Sequence, residues 1–164
     1  MFRRISVYEE TNIGLPYAVA MLDCVDEEID DITGDVIGIS YPNLPGIVDT
    51  IALGLCQFPY GLVGAEVRFL RSALDMTAKD LAAAMGADAA TLSRWENGKL
   101  DVGQWTDKQV RLSVALLVAE RLPHIPFDRD ALVRLNPMPR PANVHPTITI
   151  SENACHNLEL SLAA

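Results

Sequence analysis

Long apolar segments, paired cysteines and a targeting sequence are all missing from this chain of 164 residues. No apolar run approaches the roughly 20 residues that a membrane-spanning helix needs. The basic N-terminus from Met1 to Arg4 precedes no apolar stretch of the kind found in secretory signals. The cysteines Cys24, Cys56 and Cys155 lie far apart without a Cys-x-x-Cys pair, which argues against a disulfide framework. We therefore expect a cytoplasmic protein with buried apolar thiols.

Positive charge is also scarce, since 13 lysines and arginines face 22 acidic residues and the net charge is −9. Alone, this balance argues against a nucleic-acid-binding protein, which usually shows a basic face. The acids are unevenly placed, however. Residues 1–50 carry ten acids against Arg3 and Arg4, whereas residues 62–122 carry eight acids and eight bases. A local basic face is therefore possible in the central region.

Catalytic signatures are absent too, because the sequence holds no GxSxG, P-loop or HExxH pattern. Cys155 and His156 are adjacent, but neighbouring side chains on a strand point to opposite faces. His124 and His145 stand beside prolines in predicted loops. We expect no enzyme and no cofactor; a pocket that joins Cys155 to a histidine would overturn this.

Residues 1–61 have mixed strand and helix character and predict a small acidic module. Segments 17–22 and 35–40 are typical of two strands of a β-hairpin, with the acidic stretch 26–31 and a turn between them. Segment 44–55 has helical spacing, with Pro45 suited to the first turn. Residues 58–61 are predicted to be a linker.

Residues 62–136 predict an all-α domain of five short helices. The capping residues Thr77 and Asp88 begin the second and third helices, Thr106 begins the fourth, and Gly86 and Gly98 end two of them. The predicted helices are 63–74, 77–86, 89–97, 107–122 and 128–135.

Residues 137–164 begin with a proline-rich segment and are predicted to form an extended tail. Its segments 147–150 and 158–162 alternate like strands and could pair within the chain or across a dimer. The predicted fold class is α+β with these three parts.

The third helix of this domain has the pattern of a recognition helix. Leu92 and Trp95 share one face and predict an inward stripe. The side chains of the opposite face are short or can form hydrogen bonds, as entry into the major groove requires. They are those of Ala89, Ala90, Ser93, Arg94 and Asn97. Arg94 can bind a guanine edge, and the alanines can contact thymine methyl groups. Further predicted contacts, to phosphates, come from Thr77, Lys79, Lys99, Lys108 and Arg111.

The segments 74–86 and 90–99 closely resemble the helix-turn-helix of the XRE (phage-repressor-like) family, most diagnostically in Ser93-Arg-Trp-Glu-Asn-Gly-Lys99. The resemblance implies a partly buried ion pair between Glu96 and Arg71. Segment 62–71 and, more loosely, residues 8–52 resemble MqsA/YgiT-type antitoxins. That group carries a Cys-x-x-Cys pair where this chain has Asp30 and Thr33. We therefore expect no zinc. We interpret the acidic stretch as a solvated loop in preference to a site for a hard cation.

The resemblance implies a transcriptional regulator that binds operator DNA as a homodimer. As the antitoxin of a type II pair, it would repress its own operon and bind a basic toxin through its acidic N-terminal module. Two alternatives stay open. The chain could be a stand-alone regulator that senses a ligand or partner through residues 1–61, or a protein-interaction module that has lost DNA binding.

Overall fold

The computed structural model describes residues 1–154 and 156–163, in which it has five strands and six helices. In chain order the elements are β1 (Phe2–Glu10), β2 (Val19–Ile29), β3 (Val36–Ser40), α1 (Leu44–Gln57), α2 (Gly64–Ala73), α3 (Ala78–Ala84), α4 (Ala89–Glu96), α5 (Gln104–Arg121), α6 (Arg129–Arg134), β4 (Thr147–Glu152) and β5 (Leu158–Ala163). Within these ranges no helix has both the length and the apolar character needed to cross a membrane.

Strands from both ends of the chain form one mixed sheet. The long strand β2 is central, because it pairs antiparallel with β1 and β3 and parallel with β4. In the parallel ladder Met21 stands opposite Ile150, and both are fully buried. β4 continues into an antiparallel pair with β5, in which Ile150 faces Leu160.

The predicted fold class is therefore wrong in its organisation. The sequence predicted a separate small hairpin module, a helical domain and an extended tail, but the tail strands complete the sheet that the N-terminal strands begin. Segments 147–150 and 158–162 do pair with each other, within one chain. The parallel pairing of β2 with β4 could not be predicted from the sequence. Alternation of apolar and polar residues identifies a strand but does not show which strand it pairs with.

The acidic stretch 26–31, predicted as a loop, is mostly the end of β2. Two of its five acids, Asp26 and Glu27, pair across the ladder with arginines of β1. The sequence analysis did not predict β1. Arg4 Nε lies 2.6 Å from Asp26 Oδ1, and Arg3 pairs with Glu27. β1 escaped detection because it is largely exposed and carries charged residues at both ends, so it lacks the alternation of a half-buried strand.

Helix α1 lies at the centre of the molecule, between the sheet and the other helices. It contacts α5 and α2 on one side and strands β4 and β5 on the other. Almost every residue from Gly46 to Cys56 is buried, as expected for a helix that is covered all round. Gly54 allows the close approach of β5, since a Cβ there would lie 3.2 Å from Leu160 Cδ1.

Helices α2, α3, α4 and α6 occur within one or two residues of their predicted positions. Helix α5 differs, because it begins at Gln104 with Gly103 as its cap, instead of after Thr106. Asp107, in the first turn of α5, is buried inside the protein.

The Asp107 carboxylate forms a buried cluster with Arg111, whose side chain is 0% exposed. Arg111 Nε donates to Asp107 Oδ1 over 2.5 Å, and Asp107 Oδ2 accepts from the Leu62 N–H over 2.6 Å. The guanidinium also donates to four carbonyls at the end of α1 and in the following linker, those of Leu55, Cys56, Phe58 and Tyr60. The prediction that Arg111 contacts DNA is corrected by this burial: it caps α1 and fixes the linker instead.

Glu66 forms a second buried cluster, which attaches the C-terminal segment to α2. Its carboxylate is 0% exposed and accepts two hydrogen bonds from Arg140, at 2.7 and 3.0 Å. It also accepts from the Tyr17 hydroxyl over 2.6 Å and from the Val63 N–H over 2.9 Å. Tyr17 in turn stacks on His145. The proline-rich segment is thus held against the helices and is not an extended arm.

Candidate nucleic-acid interface

Helices α3 and α4 form a compact pair joined by the four residues 85–88. Thr77 caps α3 by accepting from the Asp80 N–H over 3.1 Å, and Asp88 caps α4 by accepting from the Thr91 N–H over 2.8 Å. Gly86 supports the turn, because its φ of +65° is a left-handed conformation that favours glycine. The backbone hydrogen bond from Thr91 lowers the pKa of Asp88, so its cap is ionised at neutral pH.

The inner face of α4 packs on α2 and α3, as the spacing of its apolar residues predicts. Leu92 and Trp95 are both buried there. A helix of only eight residues is not stable alone, so this packing sets its position. The outer face is consequently fixed with respect to the rest of the protein.

That outer face carries small side chains around one long cation. Ala89, Ala90, Ser93 and Arg94 are all exposed. Ala90 and Arg94 are one helical turn apart, as are Ala89 and Ser93, so the four form one surface. Within the described residues, the Arg94 guanidinium has no hydrogen bond and no carboxylate within 4 Å, although its charge is close enough to help lower the pKa of Asp88. A long donor above short neighbours can reach a base edge without obstruction.

Two other residues that were predicted to contact DNA form hydrogen bonds within the protein. Asn97 donates from its amide to the Ser93 carbonyl over 2.8 Å and accepts from Arg68 over 2.9 Å. Thr77 has its hydroxyl bonded to Asp80 at both donor and acceptor positions. These side chains hold the ends of α4 and α3, so they are less available for DNA than the sequence analysis expected.

Three lysines are the other predicted contacts to phosphates: Lys79 in α3, Lys99 after α4 and Lys108 in α5. Lys79 and Lys99 are exposed and Lys108 is half-buried. None of these three lysines has an ion pair within residues 1–154 and 156–163, whereas Arg3 and Arg4 of the sheet are both paired with acids. Exposed carboxylates at Asp80 and Asp88 offset part of this charge. Asp75 and Asp101 are exposed there as well, so the local surface is close to neutral, in a protein that is acidic as a whole.

The ion pair that the family resemblance implied joins α2 to α4. Arg71 Nε lies 2.6 Å from Glu96 Oε1 and Arg71 Nη2 lies 3.2 Å from Glu96 Oε2, a two-pronged contact. Arg71 also donates to the Met76 carbonyl over 3.0 Å. The hydrogen bond with Glu96 raises the pKa of Arg71. The pair is largely shielded from solvent, so it fixes the angle of α4 more firmly than an exposed pair would.

Gly64 is a structural determinant of this site that the sequence analysis missed. A Cβ at Gly64 would lie 2.1 Å from the Trp95 carbonyl oxygen and 2.9 Å from that of Glu96. The N-terminus of α2 therefore touches the backbone at the C-terminal end of α4. Only a glycine allows this approach. The residues around Gly64 in the sequence do not indicate the contact with α4.

Replacing Gly64 by alanine is expected to lower the free energy of unfolding by about 1–3 kcal/mol, since the backbone of α4 has to move to admit the methyl group. Urea unfolding followed by circular dichroism measures the change. Gly103→Ala is the matched control, because Gly103 also stands at the start of a helix but has no atom within 4 Å of the position that a Cβ would take. Equal losses in the two variants would contradict the close approach of α2 and α4.

The remaining sequence candidates do not converge on a second site. Cys24 and Cys56 are buried, and burial raises the pKa of these thiols to about 11 and about 12. Cys155, which the enzyme alternative required, lies outside the described residues. His156 bonds to Glu152 over 2.8 Å. Within residues 1–154 and 156–163, no group of three histidine, cysteine or carboxylate side chains could hold a metal ion.

Comparison of the chain with protein-family models, with curated proteins and with solved structures finds no match.

Proposed function

We propose that this protein is a sequence-specific DNA-binding transcriptional regulator that places α4 in the major groove of its operator. The observation that carries the proposal is the exposed, unpaired Arg94 among Ala89, Ala90 and Ser93, on a helix whose opposite face is buried. The short side chains let the helix approach the bases. The Arg94 fork then donates to O6 and N7 of one guanine.

Phosphate contacts come from Lys79, Lys99 and Lys108, which have no carboxylate partner in the described part of the chain. Such contacts set the position of a protein on the duplex and carry no sequence information. Three lysines are few, and the exposed carboxylates of Asp80 and Asp88 oppose them. We therefore expect binding that depends strongly on the correct base contact, with weak affinity for unrelated DNA.

Binding to the DNA upstream of its own coding sequence should weaken as salt rises, because each neutralised phosphate releases counterions. Fluorescence anisotropy at several salt concentrations gives the slope of log K against log salt. Replacing Lys79, Lys99 and Lys108 together by glutamine should reduce that slope by about 0.9 for each lysine. The control removes Arg129 and Arg134, two cations of α6 without an ion-pair partner in the described residues, and should leave the slope unchanged. Salt-independent binding or no binding would overturn the proposal.

A homodimer is part of this proposal, since one α4 reads only a half-site and operators commonly repeat it symmetrically. Exposed apolar side chains on α5, those of Trp105, Leu116 and Leu117, support association of two copies. Sedimentation equilibrium without DNA measures the mass directly. If the protein is a monomer at micromolar concentration, the dimer part of the proposal is wrong and the protein can recognise only one half-site.

The antitoxin role adds a basic toxin as partner of the sheet. Strands β1 and β3 support this hypothesis, because Phe2, Val36 and Ile37 are exposed there in the acidic third of the chain. An apolar surface with an acidic surround suits a basic protein partner. Copurification of a small basic protein encoded by the adjacent gene would support the role. Failure of that protein to bind would favour a stand-alone regulator.

A further inference from the structure

A cavity of about 470 Å³ lies on the side of α1 and α2 and is lined partly by the first 61 residues. This volume falls within the range of small-molecule sites. Its walls are mainly apolar and come from the loop after β1, from α1 and from α2; they comprise Ile13, Leu44, Pro45, Val48, Phe69 and Ala73. The cavity is thus built to accept an apolar body.

Two guanidinium groups stand at the same cavity and leave donors free. Arg121 uses Nη1 to bond Asp49 Oδ1 and the Ala73 carbonyl, each over 3.1 Å. Its Nε and Nη2 have no hydrogen-bond partner in the described residues, and this edge is the one that binds a carboxylate with two parallel hydrogen bonds. Arg68 is more committed, because its Nη2 donates to Asn97 over 2.9 Å and its Nε lies 3.6 Å from Glu96 Oε2. Only its Nη1 has no partner in the described residues.

The charges around the opening limit the ligand to a single negative charge. Asp49 and Asp75 line the cavity together with Arg68 and Arg121, so the fixed charges cancel. A doubly charged group would be repelled by the two carboxylates. A monoanion can take the free edge of Arg121 while Asp49 keeps its own bond to Nη1.

We propose that this cavity is a binding site for a small apolar carboxylate. The carboxylate accepts from Nε and Nη2 of Arg121, and the apolar body lies against Val48 and Phe69. Arg68 connects the site to α4 through its bond to Asn97, so an occupant would contact a residue that holds the proposed DNA-binding helix. Binding at the cavity does not itself depend on the proposed DNA function.

Sodium decanoate below its micellar concentration is the probe, and isothermal titration calorimetry on the full chain without DNA is the measurement. We expect saturable binding of one decanoate per chain. Decanol and decyltrimethylammonium should bind at least about tenfold more weakly, since they cannot accept from Arg121 as a carboxylate does. The double variant Asp49→Asn/Arg121→Gln should bind decanoate more weakly by a similar factor. Both residues are changed together so that Asp49 is not left buried without its cation.

Ser72→Trp tests the location without touching a charge, because Ser72 is an exposed residue of α2 that lines the cavity. The indole should fill the space and abolish decanoate binding. Val133→Trp, at an exposed position of α6 outside the cavity, should bind decanoate as the unmodified chain does. Absence of saturable binding, equal affinity for decanol, or unchanged affinity in Ser72→Trp would each overturn the proposal. Because no DNA is present, these results are separate from failure of the DNA-binding proposal.

Discussion

Replacing Arg111 by methionine is expected to lower the free energy of unfolding by about 3–5 kcal/mol, as breaking a buried ion pair does when one partner remains. Methionine keeps much of the volume but removes the charge. The Asp107 carboxylate would then be buried beside an apolar chain. The carbonyls that Arg111 caps at the end of α1 would also lose their donor, which adds to the loss.

Urea unfolding followed by circular dichroism measures this effect. Lys108→Met is the matched control, because Lys108 lies on the same helix without an ion pair in the described residues, and it should change stability by less than about 1 kcal/mol. The double variant Asp107→Leu/Arg111→Met should be less unstable than the sum of the two single variants, since it leaves no isolated buried charge. A loss below about 1 kcal/mol for Arg111→Met would contradict the buried cluster.

The helices were predictable because their signals are local. The caps Thr77 and Asp88 and the stop at Gly86 lie next to the residues whose backbone they bond, so the sequence shows them directly. The inner stripe of α4 follows from the three-residue spacing of Leu92 and Trp95. The pair Arg71–Glu96 was expected from the family resemblance and not from spacing alone.

The sheet and the buried charges were not predictable in the same way. Met21 and Ile150 become neighbours only through the folded chain, and their pairing left no mark on either segment. Arg111 follows Asp107 by four residues, a spacing that also occurs on exposed helix faces. Its burial depends on the carbonyls at the end of α1, which are distant in the sequence. Gly64 needs its small size for a contact with Trp95, more than thirty positions later.

Replacing Arg94 by alanine is expected to weaken binding to the operator by about 1–3 kcal/mol, which is a factor of about 5 to 150, while affinity for unrelated DNA changes little. Arg94 is the long donor on the exposed face of α4, and its neighbours Ala89 and Ala90 offer only methyl groups. A bidentate contact to guanine discriminates strongly, because no other base offers the guanidinium two adjacent acceptors in the major groove. Loss of one phosphate contact would instead weaken both affinities alike.

The most direct test is the ratio of operator affinity to unrelated-DNA affinity, measured by fluorescence anisotropy at one fixed salt concentration. The unmodified protein, Arg94→Ala and the control Arg134→Ala are compared on the same two duplexes, with the operator taken from the upstream fragment that binds most tightly. We predict a ratio that falls about fivefold or more in Arg94→Ala and stays unchanged in Arg134→Ala. An unchanged ratio in Arg94→Ala would contradict the placement of α4 in the major groove.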